Sequence, residues 1–469
     1  MRTRRSATGT PVLLLAAFGV AIAQTIVLAA LTPFARALGT TAAGAGWLLT
    51  AFMLASAVAT PVAGRLGDLF GHRRVLVTGL ALLLAGSVTA AAGTELGSYA
   101  AVLTGRVLQG LSGGVLPCAF GLARRYVPAE RLSGVVAALS AMVGVGGALG
   151  MVVAGPLADA AGPAALFWLT AVPAVLALAG AARLPAPPGS RAGRVDLAGA
   201  VLLAGTLSAL LPAVSQGRTW GWTSPGIIAL SAAAVALAAA FGLVERRVAA
   251  PLVDLRLLVG PRLLATNAAT LMVSVGMFAA VTLLPLFAQT PTALGYGFGL
   301  SPALTGLLMA PVAVCTLLAT PLAARLSAGL GARAAFRAGA VLAACALGGL
   351  GLLHGHLAEV LVWCALLGLA YGLAFASLGG LVVGAVGQEQ TGAATGVNTV
   401  LRTVGGAFGS VVAVALVTAS AGGPARPPAE SGYTGAFLVA GAFALCAAAV
   451  AAPRGGVSAR PSGDGPGTA

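Results

Sequence analysis

The sequence predicts an all-α polytopic membrane protein with about fourteen transmembrane helices, built as two parallel halves of six with two extra helices between them. Three observations predict this fold class. The composition is too apolar for a soluble domain, because 59% of the 469 residues are hydrophobic and 8% are charged, with a mean hydropathy of +1.00. Apolar runs of roughly 18–25 residues recur, which is the length needed to cross a bilayer. A basic turn also occurs twice, which indicates an internal duplication.

We expect the spans to follow one another through short turns rich in arginine, proline and glycine. The first apolar run follows the basic segment Met1–Arg5 and has the general form of a signal peptide. However, the run is long, it lacks a clear cleavage site, and Gln24 and Thr25 interrupt it, so we interpret it as span 1. The approximate cores of the fourteen spans are residues 11–33, 46–64, 75–93, 98–120, 133–155, 164–182, 196–214, 224–244, 266–289, 301–320, 334–353, 358–384, 393–419 and 434–452.

Arginine placement predicts the orientation. The net charge of +15 does not indicate nucleic-acid binding, because the arginines lie in short loops and form no basic face or tail. With the N-terminus inside, 21 of the 26 basic residues fall on the cytoplasmic side, three fall outside and two lie within spans. This asymmetry predicts cytoplasmic N- and C-termini. All 26 are arginine, and this lysine-free, alanine-rich style indicates a bacterium of high genomic G+C content and therefore the inner cell membrane.

The internal repeat predicts the division into halves. The matching ranges are 60–79 (TPVAGRLGDLFGHRRVLVTG) with 320–339 (TPLAARLSAGLGARAAFRAG), 108–121 with 366–379, and 146–148 with 405–407. Spans 1–6 therefore repeat as spans 9–14, and spans 7 and 8 are an insertion. The expected units are an N-terminal six-helix bundle over 1–183, a linker with two inserted helices over 184–262, a C-terminal six-helix bundle over 263–453 and a disordered cytoplasmic tail over 454–469.

The loop between spans 2 and 3 carries the most specific motif, GRLGDLFGHRR. Gly64 and Gly71 permit a tight turn against a neighbouring helix. Asp68 is an anion among arginines and is placed to act as a breakable charge latch. Arg73 and Arg74 either take part in this gate or only fix the topology of the loop. The second copy has alanine at the position of Asp68, so such a latch would be one-sided.

Span 4 contains a charged residue, Arg106, three positions before Gln109. A charge at this depth is costly unless it faces a cavity or a partner, so a functional role is the default interpretation. The alternative is an arginine whose side chain reaches back to the membrane interface.

Span 5 carries a face of small residues that includes Gly146, Gly150 and Gly155. Small residues at helical spacing permit close approach of a neighbouring backbone. The face therefore indicates either a functional seal or bend, or plain helix packing.

Span 13 combines Asn398 with Arg402, four residues apart and so on one helix face. Both side chains would be costly facing lipid. We expect them to face a cavity or a neighbouring helix.

These motifs resemble those of the major facilitator superfamily, in its fourteen-span drug:proton antiporter branch, over nearly the whole chain. The resemblance implies a major facilitator fold, gating by the Asp68 loop, a tie between Arg106 and proton transfer, and an antiporter motif in span 5. The chain departs from the family pattern at Met151, where proline is usual, and at Ala154, where glycine is usual. Ala23 also stands where the branch usually carries an aspartate.

The acidic residues bear on coupling and on the substrate. The chain has 11 acids, and by the span map none lies at the bilayer midplane. The proton-coupling candidates are Arg106, Asp68 and Asp159. Two arginines without a buried carboxylate favour a neutral or anionic substrate over a cation. The residues expected to line a substrate cavity are Gln24, Thr25, Gln109, Asn267, Gln289, Asn398 and Arg402.

We therefore expect a transporter that exports drug-like or antibiotic molecules by alternating access, with proton antiport and a role in antibiotic resistance. The alternatives are a uniporter or importer of a small metabolite without proton antiport, and a non-transporting membrane sensor on the same fold. The sequence shows no metal cluster, nucleophile elbow or phosphate loop, so we predict no enzyme activity, cofactor or metal. The expected partners are a small-molecule substrate, protons and the lipid bilayer, without nucleic acid; the oligomeric state stays open.

Overall fold

The computed structural model describes residues 2–27, 30–40, 42–185, 196–248, 260–386, 391–420 and 428–451. The predicted tail at 454–469 lies outside these ranges. Within them the chain is helical and forms no β-strand. The helices are α1 (Arg2–Thr25), α2 (Leu31–Ala37), α3 (Ala42–Phe70), α4 (His72–Glu95), α5 (Tyr99–Leu111), α6 (Val115–Tyr126), α7 (Ala129–Ala161), α8 (Ala164–Arg183), α9 (Leu197–Trp220), α10 (Pro225–Glu245), α11 (Pro261–Gln289), α12 (Pro302–Leu308), α13 (Ala310–Leu330), α14 (Ala332–Leu352), α15 (Leu357–Ala385), α16 (Thr391–Ala419) and α17 (Glu430–Val450).

The predicted all-α membrane fold is confirmed. Eleven helical stretches of the described chain are long and apolar enough to cross a membrane. Three of the expected spans, numbers 1, 4 and 7, are not among these eleven stretches. The described apolar parts of spans 1 and 7 are the shorter stretches Gly9–Thr25 and Ala198–Val214. Span 4 is divided into α5 and α6 by a 3₁₀ turn at Ser112–Gly114. The count of fourteen spans stays a prediction, as do the boundaries between the halves and the linker.

The internal repeat recurs in the backbone at the turn that suggested it. Gly71 precedes α4 with φ 98°, and its counterpart Gly331 precedes α14 with φ 86°. L-residues with a side chain rarely adopt this left-handed conformation, so glycine is needed at both turns. The same kink thus joins spans 2 and 3 and spans 10 and 11.

The repeat also recurs in helix packing. A Cβ atom on Gly110 of α5 would lie 2.5 Å from the Phe52 carbonyl oxygen of α3. A Cβ atom on the matching Gly368 of α15 would lie 2.3 Å from the Val312 carbonyl oxygen of α13. In each half, therefore, span 4 or its copy approaches span 2 or its copy at a distance that only glycine permits.

The two halves meet along five principal helices. Helix α7 packs on α13 and α15, and α16 packs on α3. The inserted helix α9 packs on both α3 and α16, where Leu207 and Leu211 join Ala57 and Val404 in one apolar cluster. Helix α10 packs on α9, and only 11% of its apolar 18-residue stretch is buried inside the protein. The insertion therefore covers the seam between the halves on the α3–α16 flank.

One end of the bundle, which we call the arginine-rich end, contains the loop between α3 and α4 and the ends of α6, α8 and α15. Arg73 donates hydrogen bonds to the Ala181 and Ala182 carbonyl oxygens at 3.2 and 2.6 Å. Arg124 donates to the Val386 carbonyl oxygen at 3.4 Å. Each guanidinium binds the C-terminal carbonyls of a helix, where a cation is favourable. The Arg124 bond also joins the two halves at this end.

The opposite end contains a polar and aromatic cluster that joins α14, α17 and α11. His354 Nε2 lies 2.9 Å from a carboxylate oxygen of Glu430, and His354 Nδ1 lies 2.7 Å from the Leu350 carbonyl oxygen. Phe287 contacts the rings of His354 and Tyr433, with centroids 4.9 and 5.4 Å apart. This cluster holds together the ends of three helices of the C-terminal half.

Candidate functional site

Described residues of both halves form three cavities along the interface between the halves. The largest, which we call the central chamber, holds about 920 Å³ of atom-free space, against about 440 and 370 Å³ for the other two. Its walls come from α1, α7, α11, α13, α15 and α16, and most of its lining is apolar. Met151, Met277 and Met309 face it together with Phe278 and Phe375. Methionine side chains adapt to differently shaped apolar partners, so this wall suits varied hydrophobic molecules.

Arg402 is the charged residue that all three cavities share. Its guanidinium carbon lies 5.9 Å from the centroid of the Phe375 ring, within the range of a cation–π contact. In the part of the chain that the structure describes, the guanidinium makes no hydrogen bond and no ion pair. Arg402, which the sequence predicts as a cavity residue, lies at the wall of these cavities.

Asn398, one turn before Arg402, lines the smallest of the three cavities. Its amide nitrogen donates to Asn267 Oδ1 at 3.1 Å and to Thr270 Oγ1 at 2.7 Å. Asn267 is buried and lines none of the three cavities. The two asparagines therefore join α16 to α11 behind the cavity wall, and only Asn398 reaches the space itself.

Gln24 and Thr25, two further residues predicted for the cavity, lie on α1 and line the chamber. Thr25 donates a hydrogen bond to the Gly147 carbonyl oxygen of α7 at 2.8 Å. A Cβ atom on Gly146 would lie 2.7 Å from the Ala21 Cβ, and one on Gly150 would lie 2.5 Å from the Thr25 hydroxyl. The small face of span 5 therefore seats α7 directly on α1, beside the chamber. Gly155, one turn further along α7, is also buried.

Arg106 lies inside the N-terminal half and lines none of the three cavities. Its side chain is 0% exposed. Its Nε donates to the Leu48 carbonyl oxygen at 2.9 Å, and one terminal nitrogen donates to the Ala23 carbonyl oxygen and to Gln109 Oε1 at 2.8 and 2.7 Å. The guanidinium also lies 4.5 Å from the Phe52 ring. Its acceptors are neutral, and one of them is the backbone of the residue that replaces the usual aspartate.

Gln109 is placed differently from the sequence expectation. It is fully buried and lies with Arg106 behind the cavity wall. Its amide nitrogen donates to Ser87 Oγ at 2.8 Å and lies 3.3 Å from Thr170 Oγ1. The network joins α4, α5 and α8, so Gln109 serves the packing of the N-terminal half. The sequence did not indicate this, because the partners lie on helices distant along the chain.

Asp68 is buried at the arginine-rich end, with 6% of its side chain exposed. One partner is His72, whose Nε2 lies 3.2 Å from Asp68 Oδ1. The imidazole occupies a niche that glycine leaves open, since a Cβ atom on Gly121 would lie 1.9 Å from the ring. Sequence reasoning missed His72, although its place directly after Gly71 was a usable signal. Gly64 is buried on α3.

Three further predicted residues lie at the surface. Arg74 is exposed at the start of α4, Asp159 is exposed near the end of α7, and Gln289 is exposed at the end of α11. Asp159 and Gln289 line none of the three cavities. The geometry therefore gives no support to a place for either residue in the substrate path.

Comparison with known proteins identifies the fold and its lineage. Residues 13–292 and 268–466 match the model of the Major Facilitator Superfamily. The chain belongs to this superfamily. It is 30% identical over 421 residues to the tetracenomycin C resistance and export protein of Streptomyces glaucescens, covering 88% of this chain and 76% of that protein. It is 31% identical over 462 residues to the cephamycin export protein CmcT of Amycolatopsis lactamdurans, covering 95% and 93%.

A solved structure gives the same fold. The human organic anion transporter MFSD10 superposes with a TM-score of 0.66 over 95% of this chain and 99% of that one, at 17% sequence identity. At that identity the likeness shows the fold alone. Membership of the major facilitator superfamily makes the chain a multi-pass membrane transport protein rather than an enzyme.

Proposed function

We propose that this major facilitator protein exports antibiotic-like small molecules from the cytoplasm by alternating access of its two halves. The observation that supports this most directly is the central chamber, which is lined from both halves by adaptable apolar side chains with a few polar groups. Relatives named for the export of antibiotics cover most of the chain, which supports the same cargo class. The membrane is the inner cell membrane.

The arginine-rich end faces the cytoplasm in this proposal, with both termini on that side. Two contacts between the halves lie at this end. Arg124 binds the Val386 carbonyl oxygen, and a Cβ atom on Gly396 of α16 would lie 3.0 Å from the Pro61 Cα of α3. Loading from the cytoplasm requires both contacts to separate. The Asp68–His72 pair lies at the same end of the bundle.

Proton antiport is the form of coupling that we propose, with Asp68 as the leading carrier. Asp68 is buried beside a titratable partner, whereas Asp159 is exposed and Arg106 binds neutral acceptors. Uncoupled transport is a second candidate, because no acidic residue of the described chain lines the three cavities.

The test is proton movement in vesicles that contain the purified chain, with a panel of cationic, neutral and anionic antibiotics. We expect substrate-dependent proton flux, and we expect Asp68→Asn to reduce the number of protons moved per substrate. Glu130→Gln is the matched control, because Glu130 is an exposed acid at the start of α7. Substrate transport by the wild type without any proton movement would contradict antiport and support uncoupled transport.

A further inference from the structure

The two arginines inside the membrane differ in how their donors are used. A guanidinium has five N–H donors and no acceptor, and it stays charged in proteins. Arg106 directs three hydrogen bonds at neutral acceptors within the N-terminal half. Arg402 makes no hydrogen bond and no ion pair with any described residue, and it borders all three cavities. Its donors are therefore available to a molecule in the chamber, and those of Arg106 largely are not.

Among the residues that the structure describes, no acid lies at the cavities around Arg402 to neutralise it. The polar side chains that share these cavities with it are neutral and include Gln24 of α1, Ser56 of α3, Ser140 of α7, Thr316 of α13, Tyr371 of α15 and Asn398 of α16. An unpaired cation at this depth is costly, so a negative charge brought by a ligand would gain much more here than in water.

The chamber supplies the other half of a binding site. Phe375 lies beside the guanidinium, and the Met277, Phe278 and Met309 side chains line the same space. Aromatic rings bind well against methionine sulfur and against other rings. An arginine fork at one point and an apolar wall around it match a molecule that has an anionic group on a hydrophobic, ring-containing body.

We propose that Arg402 is the anion-recognition residue of the chamber and that the exported substrate is an amphiphilic organic anion. Its carboxylate, phenolate or sulfonate binds the Arg402 guanidinium, and its apolar rings lie against the methionine and phenylalanine wall. The inference rests on the proposed export function and makes it more specific: the positive charge of Arg402 selects anions and repels organic cations.

The first experiment measures export of three dyes by vesicles that contain the full chain: 5-carboxyfluorescein as the anion, Nile red as the neutral dye and rhodamine 123 as the cation. The wild type should transport carboxyfluorescein in preference to rhodamine 123. Arg402→Gln should raise the apparent KM for carboxyfluorescein about ten- to a hundredfold, as expected for the loss of a charge-assisted bond. The apparent KM for Nile red should change by less than about twofold. Arg402→Lys should recover part of the lost affinity for carboxyfluorescein, since lysine keeps the charge but lacks the forked guanidinium.

Arg36→Gln is the matched control, because Arg36 is an exposed arginine on α2 that lines none of the three cavities. It should leave transport of all three dyes unchanged. Preference for rhodamine 123 over carboxyfluorescein in the wild type would overturn the proposal. An equal loss of transport of all three dyes in Arg402→Gln would also overturn it, because Arg402 would then serve transport in general and not the recognition of anions.

A binding measurement separates this inference from the proposed function. The purified chain in detergent is unfolded thermally with 2-naphthoate or with its neutral amide, 2-naphthamide. The anion site predicts a larger stabilisation by 2-naphthoate, lost in Arg402→Gln and kept in Arg36→Gln. If no dye is exported but this pattern appears, the export proposal fails while the anion site stands. Equal stabilisation by both probes contradicts the anion site whatever the transport result.

Discussion

Arg106 satisfies most of its hydrogen-bonding capacity inside the N-terminal half, whereas Arg402 borders a cavity with its donors unused. This difference has consequences for stability as well as for binding. Removing a buried group that several acceptors share leaves those acceptors unpaired, which costs more than removing a group that has no partner.

We therefore predict effects of different size for the two glutamine variants on the stability of the folded protein. Arg106→Gln leaves the Leu48 and Ala23 carbonyls without a donor and should lower the free energy of unfolding by roughly 2–5 kcal/mol. Arg402→Gln breaks no described hydrogen bond and should lower it by less than about 1 kcal/mol. Thermal unfolding of both variants in the same detergent checks this. Equal losses of stability would show that Arg402 has a structural partner.

The two arginines also show where sequence reasoning reaches its limit at this scale. Both are charges inside apolar spans, and the sequence predicted a functional position for each. The acceptors of Arg106 are two backbone carbonyls and a glutamine amide, and every residue offers a carbonyl. Only the tertiary structure decides which carbonyls point at a guanidinium, so the two roles could not be separated from residue types.

At the scale of helices, glycines determine how closely the elements approach. Gly146 of α7 lies against the Ala21 side chain and the Phe18 carbonyl of α1, and a Cβ atom there would lie 2.7 and 3.0 Å from them. The matching Gly405 of α16 would place its Cβ 2.6 Å from the Leu271 carbonyl oxygen of α11. The two glycines align in the internal repeat, because a position that only glycine can occupy leaves a trace in the sequence.

A pair of alanine variants in α7 tests the packing. Gly146→Ala should lower the free energy of unfolding by about 1–3 kcal/mol, since the added methyl must push two helices apart. Gly134→Ala should be neutral or stabilising by up to about 1 kcal/mol, because nothing lies within 4 Å of its Cβ position and alanine is the better helix former. Thermal unfolding of the two variants provides the comparison. Equal stability would mean that α1 and α7 can separate freely, which the proposed packing forbids.

The sequence was less informative about the inserted helices. It predicted them as spans 7 and 8, but neither helix has a distinct apolar face that would indicate which helix it packs against. The position of α9 across α3 and α16 is a property of the assembled bundle, because it depends on where those two helices meet. The linker stretches at 186–195 and 249–259 lie outside the described residues.

For the whole molecule, alternating access requires the contacts between the halves to break and re-form. Ser140 of α7 and Gly379 of α15 belong to different halves, and a Cβ atom on Gly379 would lie 2.0 Å from the Ser140 hydroxyl. Both lie on the side of the chamber nearer the arginine-rich end. They are close enough for a disulfide between cysteines placed there.

We predict that Ser140→Cys with Gly379→Cys stops transport when oxidised and restores it when reduced. The cross-link holds the arginine-rich end closed, so the chamber cannot open there. The variant is made on a background from which the five native cysteines, Cys118, Cys315, Cys345, Cys364 and Cys446, have been removed. Each single cysteine variant under the same oxidant is the control. Full transport with the cross-link in place would show that this contact persists through the cycle.

The position of α9 has a consequence for compounds that dissolve in the bilayer. Because α9 lies over the seam where α3 meets α16, a molecule moving sideways out of the lipid meets a helix on that flank instead of an opening between the halves. On the other flank, α7 packs on α13, and Met151 and Val312 of these two helices line the chamber. Lateral entry from the lipid on the α3–α16 flank would therefore require α9 to move away from the seam.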